Sequence, residues 1–355
     1  NGDEKKRFIW KKILEMRFKT GEPYIVFYDA ANKNNPPAYQ KFNLTVNGSN
    51  LCTEIMLATD INHSLVCCLS SLNLAFYDEW KDRAEEVAYY TVWFLDAVME
   101  EFIQKAKQIP ALRRAYHFAK KSRALGIGVL GWHTLLQKRS IPFDSFEAMR
   151  LNAEIWSKLK AGAEKASKDL YDIYDAPEWA VGLQRRHTHL FAIAPTVSNS
   201  TIVGGVSPGI EPIAANVFVQ KSAKGVFVRY NSVLKQFLQK YKLDTEDIWK
   251  KIIKNDGSVR GLKEIPSDIQ DVFLTAREIN QFAIIKQAAQ RQKFIDQGQS
   301  VNLFFVANAT PKYIHNVHIE AWKSGLKSLY YLRTTSAGKA DLASRSAEEC
   351  KACEG

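Results

Sequence analysis

The chain has no apolar run approaching the ~18 residues of a membrane-spanning helix, and no charged-then-apolar leader of the secretory kind. It has no initiator Met either: it opens Asn1-Gly2-Asp3-Glu4, which reads as a fragment or a processed product. It shows no internal repeat, so repeat architectures are set aside. Cysteine is sparse, with five in 355 residues. Cys52 stands alone, Cys67 and Cys68 are adjacent, and Cys350 and Cys353 form one C-x-x-C. An odd count in that arrangement is not the framework of a secreted disulfide protein. The thiols therefore belong in a reducing compartment, the cytoplasm, where they are available for chemistry. Histidine is badly placed for a metal: His187 pairs with His189, and His315 with His318 and nearby Glu320, none at the spacing of a zinc-binding helix. No histidine follows His318 and a second C-x-x-C is missing, so Cys350 and Cys353 lack the ~4 ligands of a closed zinc site. We expect no metal site.

What is present is an ordinary globular composition, 46% hydrophobic and 25% charged, which excludes a disordered or fibrous chain. The formal charge is +11, spread in pairs such as Lys11-Lys12, Lys120-Lys121 and Arg185-Arg186. Nucleic-acid footprints cluster, so dispersed charge favours a small anionic ligand or an acidic partner chain over nucleic acid.

Apolar spacing predicts a helix over 5–18 stopped by Gly21, and further helices over 79–107, 115–138, 147–172, 231–254 and 268–293, with a last one beginning at Thr310-Pro311. Short apolar or β-branched runs at 24–28, 65–74, 191–194, 301–305 and 328–332 read as strands. Strands alternating with helices argue for an α/β fold with mostly parallel strands and its functional loops at strand ends. From Arg333 onward the only large apolar residue is Leu342, the composition of a mobile tail.

Five segments carry chemistry. In SNLCTEI, an extended backbone would set Asn50, Cys52 and Glu54 on one face, ~6–7 Å apart. An amide, a thiol and a carboxylate at that spacing offer a hydrogen-bond donor, a nucleophile or hydrogen-atom centre and a base; a surface Asn and Glu flanking an inert cysteine is the plainer alternative. Cys67-Cys68 lies in an apolar run, so one thiol faces each side, as packing or as a site group. Tyr330-Tyr331 closes the last strand, as packing or as an electron and proton path. Pro195, Thr196, Val197, Ser198 and Asn199 follow the run FAIA and precede Gly204-Gly205, a turn whose amides and hydroxyls suit a phosphate. Cys350 and Cys353, on the tail, favour thiol–disulfide exchange.

Together these segments resemble the large, catalytic subunit of class I (Ia-like) ribonucleotide reductase. TGEPYIVFYDAAN, SNLCTEI, CCLSSLNL, LGIGVLGWHTLL, APTVSNS, GIEP, FIDQGQSVNLF and LYYLRT occur in the family's order over nearly the whole chain. The resemblance implies an α/β barrel of ten strands with a radical-bearing cysteine on a central loop, of which this chain is the C-terminal portion. Residues 1–332 would be that barrel portion and 333–355 a flexible redox tail. It implies radical reduction of ribonucleoside diphosphates to deoxyribonucleotides. Cys52 would be the thiyl cysteine, Glu54 the base for the 3′-hydroxyl, Asn50 its companion, and Cys67 one of the two redox thiols; Cys68 has no implied role. Tyr330 and Tyr331 would relay the radical, and Cys350 and Cys353 would re-reduce the site. Ser49, Asn50, Leu51, Cys52, Thr53 and Glu54, with Pro195, Thr196, Val197, Ser198 and Asn199, would contact substrate; Asn199 stands where family versions often have Ser. No cofactor would be bound by this chain itself.

The implied partners are a small subunit carrying a tyrosyl radical and di-iron centre, thioredoxin or glutaredoxin, and the N-terminal half of the large subunit; neither a membrane nor nucleic acid is implied. Cobalamin-dependent reductases need no tyrosine relay, and the glycine motif of glycyl-radical reductases is missing. No cysteine precedes Cys52, so the second redox cysteine and the allosteric regions would lie in a missing half, whether the sequence is truncated or the subunit is split. A thiol–disulfide oxidoreductase using the tail, or a basic binding module, would explain the C-x-x-C or the charge; neither explains the tyrosine pair together with the tail cysteines.

About 19 residues separate Tyr331 from Cys350, giving a flexible arm a reach of ~24 Å. In the completed assembly, Cys350→Ser/Cys353→Ser should permit one round of reduction by pre-reduced enzyme and abolish repeated turnover with thioredoxin. A small dithiol should partly restore it; undiminished thioredoxin-driven turnover would remove the relay.

Overall fold

Helix α1, Glu4–Thr20, starts where the Asp3 carboxylate accepts the Lys6 N–H and stops at Gly21, whose φ of +90° only glycine adopts without strain. The computed structural model describes residues 3–222 and 225–334; Cys350, Cys353 and the expected tail beyond 334 lie outside the described residues. After α1 come β1 (Ile25–Val26), β2 (Leu69–Asn73), α2 (Ala84–Ala106), α3 (Arg113–Ser122), β3 (Gly126–Leu130), α4 (Trp132–Lys138) and α5 (Phe146–Tyr174). Then follow α6 (Val197–Ile202), a hairpin of β4 (Val217–Ser222) and β5 (Gly225–Tyr230), α7 (Ser232–Lys240), α8 (Glu246–Lys254), α9 (Gln281–Gln292), β6 (Leu303–Phe305), α10 (Pro311–Lys323), β7 (Ser328–Leu329) and β8 (Leu332–Thr334).

Among the described residues two strand pairs and two bridges are parallel, while β1–β7 and the β4–β5 hairpin are antiparallel. β2 pairs in parallel with β3, and Ile127 of β3 bridges in parallel to Phe191. Ile193 bridges to Gln299, and β6 pairs in parallel with β8. β1 closes onto β7 antiparallel, through Ile25 opposite Leu329. The mostly parallel α/β reading therefore holds, although 191–194 contributes only bridges and the strand expected over 65–74 is confined to Leu69–Asn73.

Three of the expected helices are interrupted. The one over 115–138 is two helices around β3, because Arg123 turns the chain at φ +44° and Gly128 lies against the Ala192 backbone, where a Cβ would sit 2.6 Å from the carbonyl oxygen. β3 is buried on both faces, so its apolar run carries no period that separates strand from helix. The helix over 231–254 breaks after Lys240; Lys242 has φ +59° and Thr245 caps α8 by accepting the Ile248 N–H. That over 268–293 divides into Ser267–Val272 and α9, the latter capped by Asn280. α2 packs along α5, where Gly162, Ala163 and Ala166 are buried and let the Glu85 backbone approach.

Charge is buried with its partners. Asp96 on α2 meets Arg123 at 2.8 Å, Arg186 at 3.1 Å and His187 Nε2 at 2.9 Å, and the other ring nitrogen of His187 is 2.8 Å from Ser167 Oγ on α5. Burial alone would raise the Asp96 carboxyl; the His187 hydrogen bond and the His187, Arg123 and Arg186 charges hold it well below the usual carboxylate range. Asp96→Ala leaves two buried guanidinium groups short of an anion, so it should cost roughly 3–5 kcal/mol in urea unfolding near neutral pH. The Asp96 contribution is present above the ordinary aspartate range and is lost as pH falls below it, so the deficit should shrink in acid.

Candidate functional site

SNLCTEI is not extended. Thr53 donates its N–H back to the Asn50 carbonyl at 3.1 Å and has φ +67°, so the segment is a tight turn. The turn leaves Leu51 exposed and buries Cys52 and Glu54, while the Asn50 side chain accepts the Ile55 N–H at 3.1 Å. Ser49 donates its hydroxyl to the Asn50 carbonyl at 2.9 Å.

The buried turn is held through three successive carbonyls. The Ser300 hydroxyl lies 2.5 Å from the Cys52 oxygen, the Ser328 hydroxyl donates to the Thr53 oxygen at 2.7 Å, and the Gly298 N–H donates to the Glu54 oxygen at 2.7 Å. Gln297 extends the grip by accepting the Met56 N–H at 3.2 Å. Burial pushes the Glu54 carboxyl above its ordinary range, against the opposing pull of its own N–H, Asn50 and Ser300. A base that holds its proton more tightly than usual suits proton abstraction from a poorly acidic hydroxyl.

Tyr330 brings the last strands to the same point. Its phenol donates toward Cys52 Sγ at 3.9 Å, and its ring centroid is 4.4 Å from that of Tyr331. Tyr24, beside β1, packs on both rings at 4.7 and 4.9 Å. Burial first, then the Cys52 thiol and the neighbouring tyrosines, raise the Tyr330 phenol. A phenol that resists ionisation loses its electron and proton together. Arg17 of α1, buried and bonded to the Pro23 and Tyr330 carbonyls and to His318 Nε2, anchors this end. His315 accepts from Trp10, so both histidines of α10 tether α1.

Around Tyr331, Asn302 accepts its backbone N–H at 3.0 Å and donates to Glu211 at 2.9 Å; burial lifts Glu211 to about 7. The Arg333 guanidinium sits 4.7 Å from the centre of the Tyr331 ring. Tyr24, Glu211, Ser300 and Ser328 are pieces that sequence reasoning did not single out, although TGEPY, GIEP and QGQS contain the first three.

The cysteine pair divides as its alternation requires. Cys67 is exposed and Cys68 buried, its thiol donating to the Leu95 carbonyl at 3.6 Å and pushed up to about 11 by burial. Both precede β2 rather than lying inside it. Pro195, Thr196, Val197 and Ser198 are half-buried and Asn199 exposed, at the end of the bridging segment that contains Ile193. Thr196 turns at φ +53° and its hydroxyl accepts the Gly209 N–H at 2.8 Å, which fixes the turn before α6.

The family described as ribonucleotide reductase, barrel domain, matches residues 3–177 and 182–332. The chain belongs to that family. A Frog virus 3 protein is 41% identical over 98% of this chain and 62% of its own length. The ribonucleoside-diphosphate reductase large subunit of Invertebrate iridescent virus 3 is 39% identical over 92% of this chain and 52% of its own. Among solved structures, the class Id ribonucleotide reductase alpha subunit of Actinobacillus ureae shares 46% identity with a TM-score of 0.88, covering 95% of this chain and 62% of that one. The barrel family and this match carry the α/β barrel fold, and the chain spans between half and two thirds of the length of these three relatives. The solved relative's printed subclass is Id.

In this barrel the clamps on the Cys52 turn are buried, so losing one strands a carbonyl. Ser328→Ala should destabilise the chain by about 1–3 kcal/mol in urea unfolding. Ser328→Thr, which keeps the hydroxyl, should recover most of the loss.

Proposed function

We propose that this chain is the radical-bearing part of a ribonucleoside-diphosphate reductase, acting with the remainder of a large subunit and a small subunit that generates the radical. The observation that supports the reading best is the Tyr330 phenol 3.9 Å from the Cys52 thiol, on a buried turn that also carries Glu54.

In the proposed sequence Tyr331 gives up an electron and proton toward the small subunit, whose tyrosyl radical and di-iron centre would supply the oxidising equivalent. Tyr331 oxidises Tyr330, and Tyr330 takes a hydrogen atom from Cys52. The Cys52 thiyl abstracts the 3′-hydrogen of the ribose as a hydrogen atom, restoring its S–H. Glu54 accepts the 3′-hydroxyl proton, with the Asn50 side chain bearing on its carboxylate. The 2′-hydroxyl takes a proton from the pair formed by Cys67 and a second thiol outside this chain, and leaves as water. The pair then gives a hydrogen atom to the 2′ carbon and its second electron, with the proton held by Glu54, to the 3′ carbonyl, becoming a disulfide. Cys52 last returns its hydrogen atom to the 3′ carbon, and the thiyl is reduced back through Tyr330.

Ser49, Leu51 and Thr53 would frame the sugar, and the turn from Pro195 to Asn199 would receive the phosphates through its amides. Residues 1–332 form the proposed barrel part, a division supported by the family match ending at 332, and 333–355 the tail. Cys350 and Cys353 would pass reducing equivalents from thioredoxin or glutaredoxin. Among the described residues no helix is long and apolar enough to cross a membrane, and the thiol supply fits the cytoplasm.

In the completed assembly, Cys52→Ser should abolish reduction of ribonucleoside diphosphates while leaving their binding nearly intact, since a hydroxyl cannot cycle as a hydrogen-atom carrier. Tyr330→Phe and Tyr331→Phe should each stop turnover while changing stability by no more than about 1 kcal/mol, the size of one hydrogen bond. Appreciable turnover by Cys52→Ser would overturn the reading; normal turnover by either Phe variant would reduce that tyrosine to packing.

A further inference from the structure

Among the three clamps, Ser300 is the one with a titratable acceptor. Its Oγ lies 2.5 Å from the Cys52 carbonyl oxygen and 3.2 Å from Glu54 Oε2. A serine hydroxyl has one proton to donate and lone pairs to accept with. The Cys52 carbonyl can only accept. An ionised Glu54 can also only accept, so with the carboxylate charged one of the two contacts goes unmade. With Glu54 protonated both are made at once, the carboxyl O–H donating to Ser300 and Ser300 donating to Cys52. Ser328 also has two acceptors for one proton, the Thr53 and Gln299 carbonyls, and the Gly298 N–H meets the Glu54 carbonyl, but none of these acceptors titrates, so their bonding does not depend on pH.

We propose that Ser300 is a positioning residue that couples the protonation of Glu54 to the backbone of Cys52. When Glu54 is protonated, the chain Glu54–OH to Ser300–OH to Cys52 carbonyl is continuous and the turn is clamped at the cysteine. When Glu54 is ionised, a charge-assisted bond draws the Ser300 proton to the carboxylate and releases the Cys52 carbonyl. No electrons move; one proton is added to or removed from Glu54 and one hydrogen bond changes acceptor.

Of the side chains bearing on the Glu54 carboxylate, Ser300 is the one that also bonds the Cys52 backbone. The groups bearing on the Glu54 carboxylate are its own N–H, the Asn50 side chain and Ser300, with burial the largest influence. The titratable groups nearby are the Cys52 thiol with the Tyr330 phenol above it, and, two residues along from Ser300, Asn302 with its partner Glu211. The consequence for catalysis rests on the proposed function: arrival of the 3′-hydroxyl proton on Glu54 would tighten the turn while the Cys52 thiol faces the sugar radical, and departure of that proton would loosen it for product release.

The test uses the intact chain with cysteine labelled at the carbonyl carbon, and reads infrared bands against pH. Loss of one labelled band in Cys52→Ser assigns the Cys52 carbonyl, and Glu54→Gln assigns the protonated carboxyl of Glu54. In the unsubstituted chain the Cys52 carbonyl band should move to higher frequency as pH rises, with the same midpoint at which the Glu54 carboxyl band disappears. In Ser300→Ala the carbonyl band should stay at the unbonded position at every pH, and the Glu54 midpoint should rise. Ser300→Thr should restore the coupled behaviour. Glu54→Gln, whose amide can donate, should fix the carbonyl at the bonded position. A Cys52 band in the unsubstituted chain that ignores pH, or one that still moves in Ser300→Ala, would overturn the proposal. Should Ser300→Ala fail to fold, the unsubstituted chain and Glu54→Gln decide it. None of these readouts requires turnover, so failure of the reductase reading would show separately, as coupled bands in a chain whose completed assembly reduces nothing.

Discussion

A turn buried at the centre of a protein must have its backbone carbonyls met, because water cannot reach them and an unmet polar group costs about 1–3 kcal/mol. The turn bearing Cys52 has three successive carbonyls in that position, and each is met from neighbouring strand segments: Ser300, Ser328 and the Gly298 amide. Much else follows from this requirement. The segment 297–300 must run beside 191–193, whose Ile193 N–H and carbonyl it pairs with, and 328–329 must lie close by. β1 then folds back on β7, which brings Tyr24 against Tyr330 and Tyr331.

The periphery supports that centre with buried charge rather than with apolar packing alone. Arg17 reaches from α1 to the Tyr330 carbonyl and to His318, so the helix is bonded to the backbone that carries the tyrosines. Asp96, Arg123, Arg186 and His187 hold α2 to the turns that lead into β3 and into 191–193. Such groups contribute little net stability compared with apolar substitutes, but each is costly to leave unpaired, which penalises arrangements that separate them.

Much of this was legible in the residues. The period-3.6 runs located α1, α2 and α5, and capping residues placed several boundaries: Gly21 after α1, and Thr310 with Pro311 before α10, where Thr310 accepts the Tyr313 N–H. The break missed inside 115–138 has a clear cause. β3 is apolar on both faces, so GIGVL reads equally as a buried helix until Gly128 is seen against the Ala192 backbone. Within the site, Asn50, Cys52 and Glu54 stood out because of their chemistry, but the alternation that set them on one face assumed an extended chain. Thr53 at φ +67° makes a turn instead, and nothing in a threonine advertises left-handed backbone. Ser300 and Ser328 were invisible for a different reason: serine is common and its role here exists only through contacts across 248 and 275 residues of sequence.

In the proposed reaction Cys52, with Tyr330 on one side, draws a hydrogen atom from the 3′ carbon of a ribose on the other. Competitive turnover of 3′-deuterated against unlabelled ribonucleoside diphosphate, in the assembly completed by the rest of the large subunit and by the small subunit, tests it most directly. The account predicts a primary isotope effect on kcat/KM for deuterium at the 3′ carbon and none for deuterium at the 5′ carbon. Equal consumption of the 3′-deuterated and unlabelled substrates would contradict it.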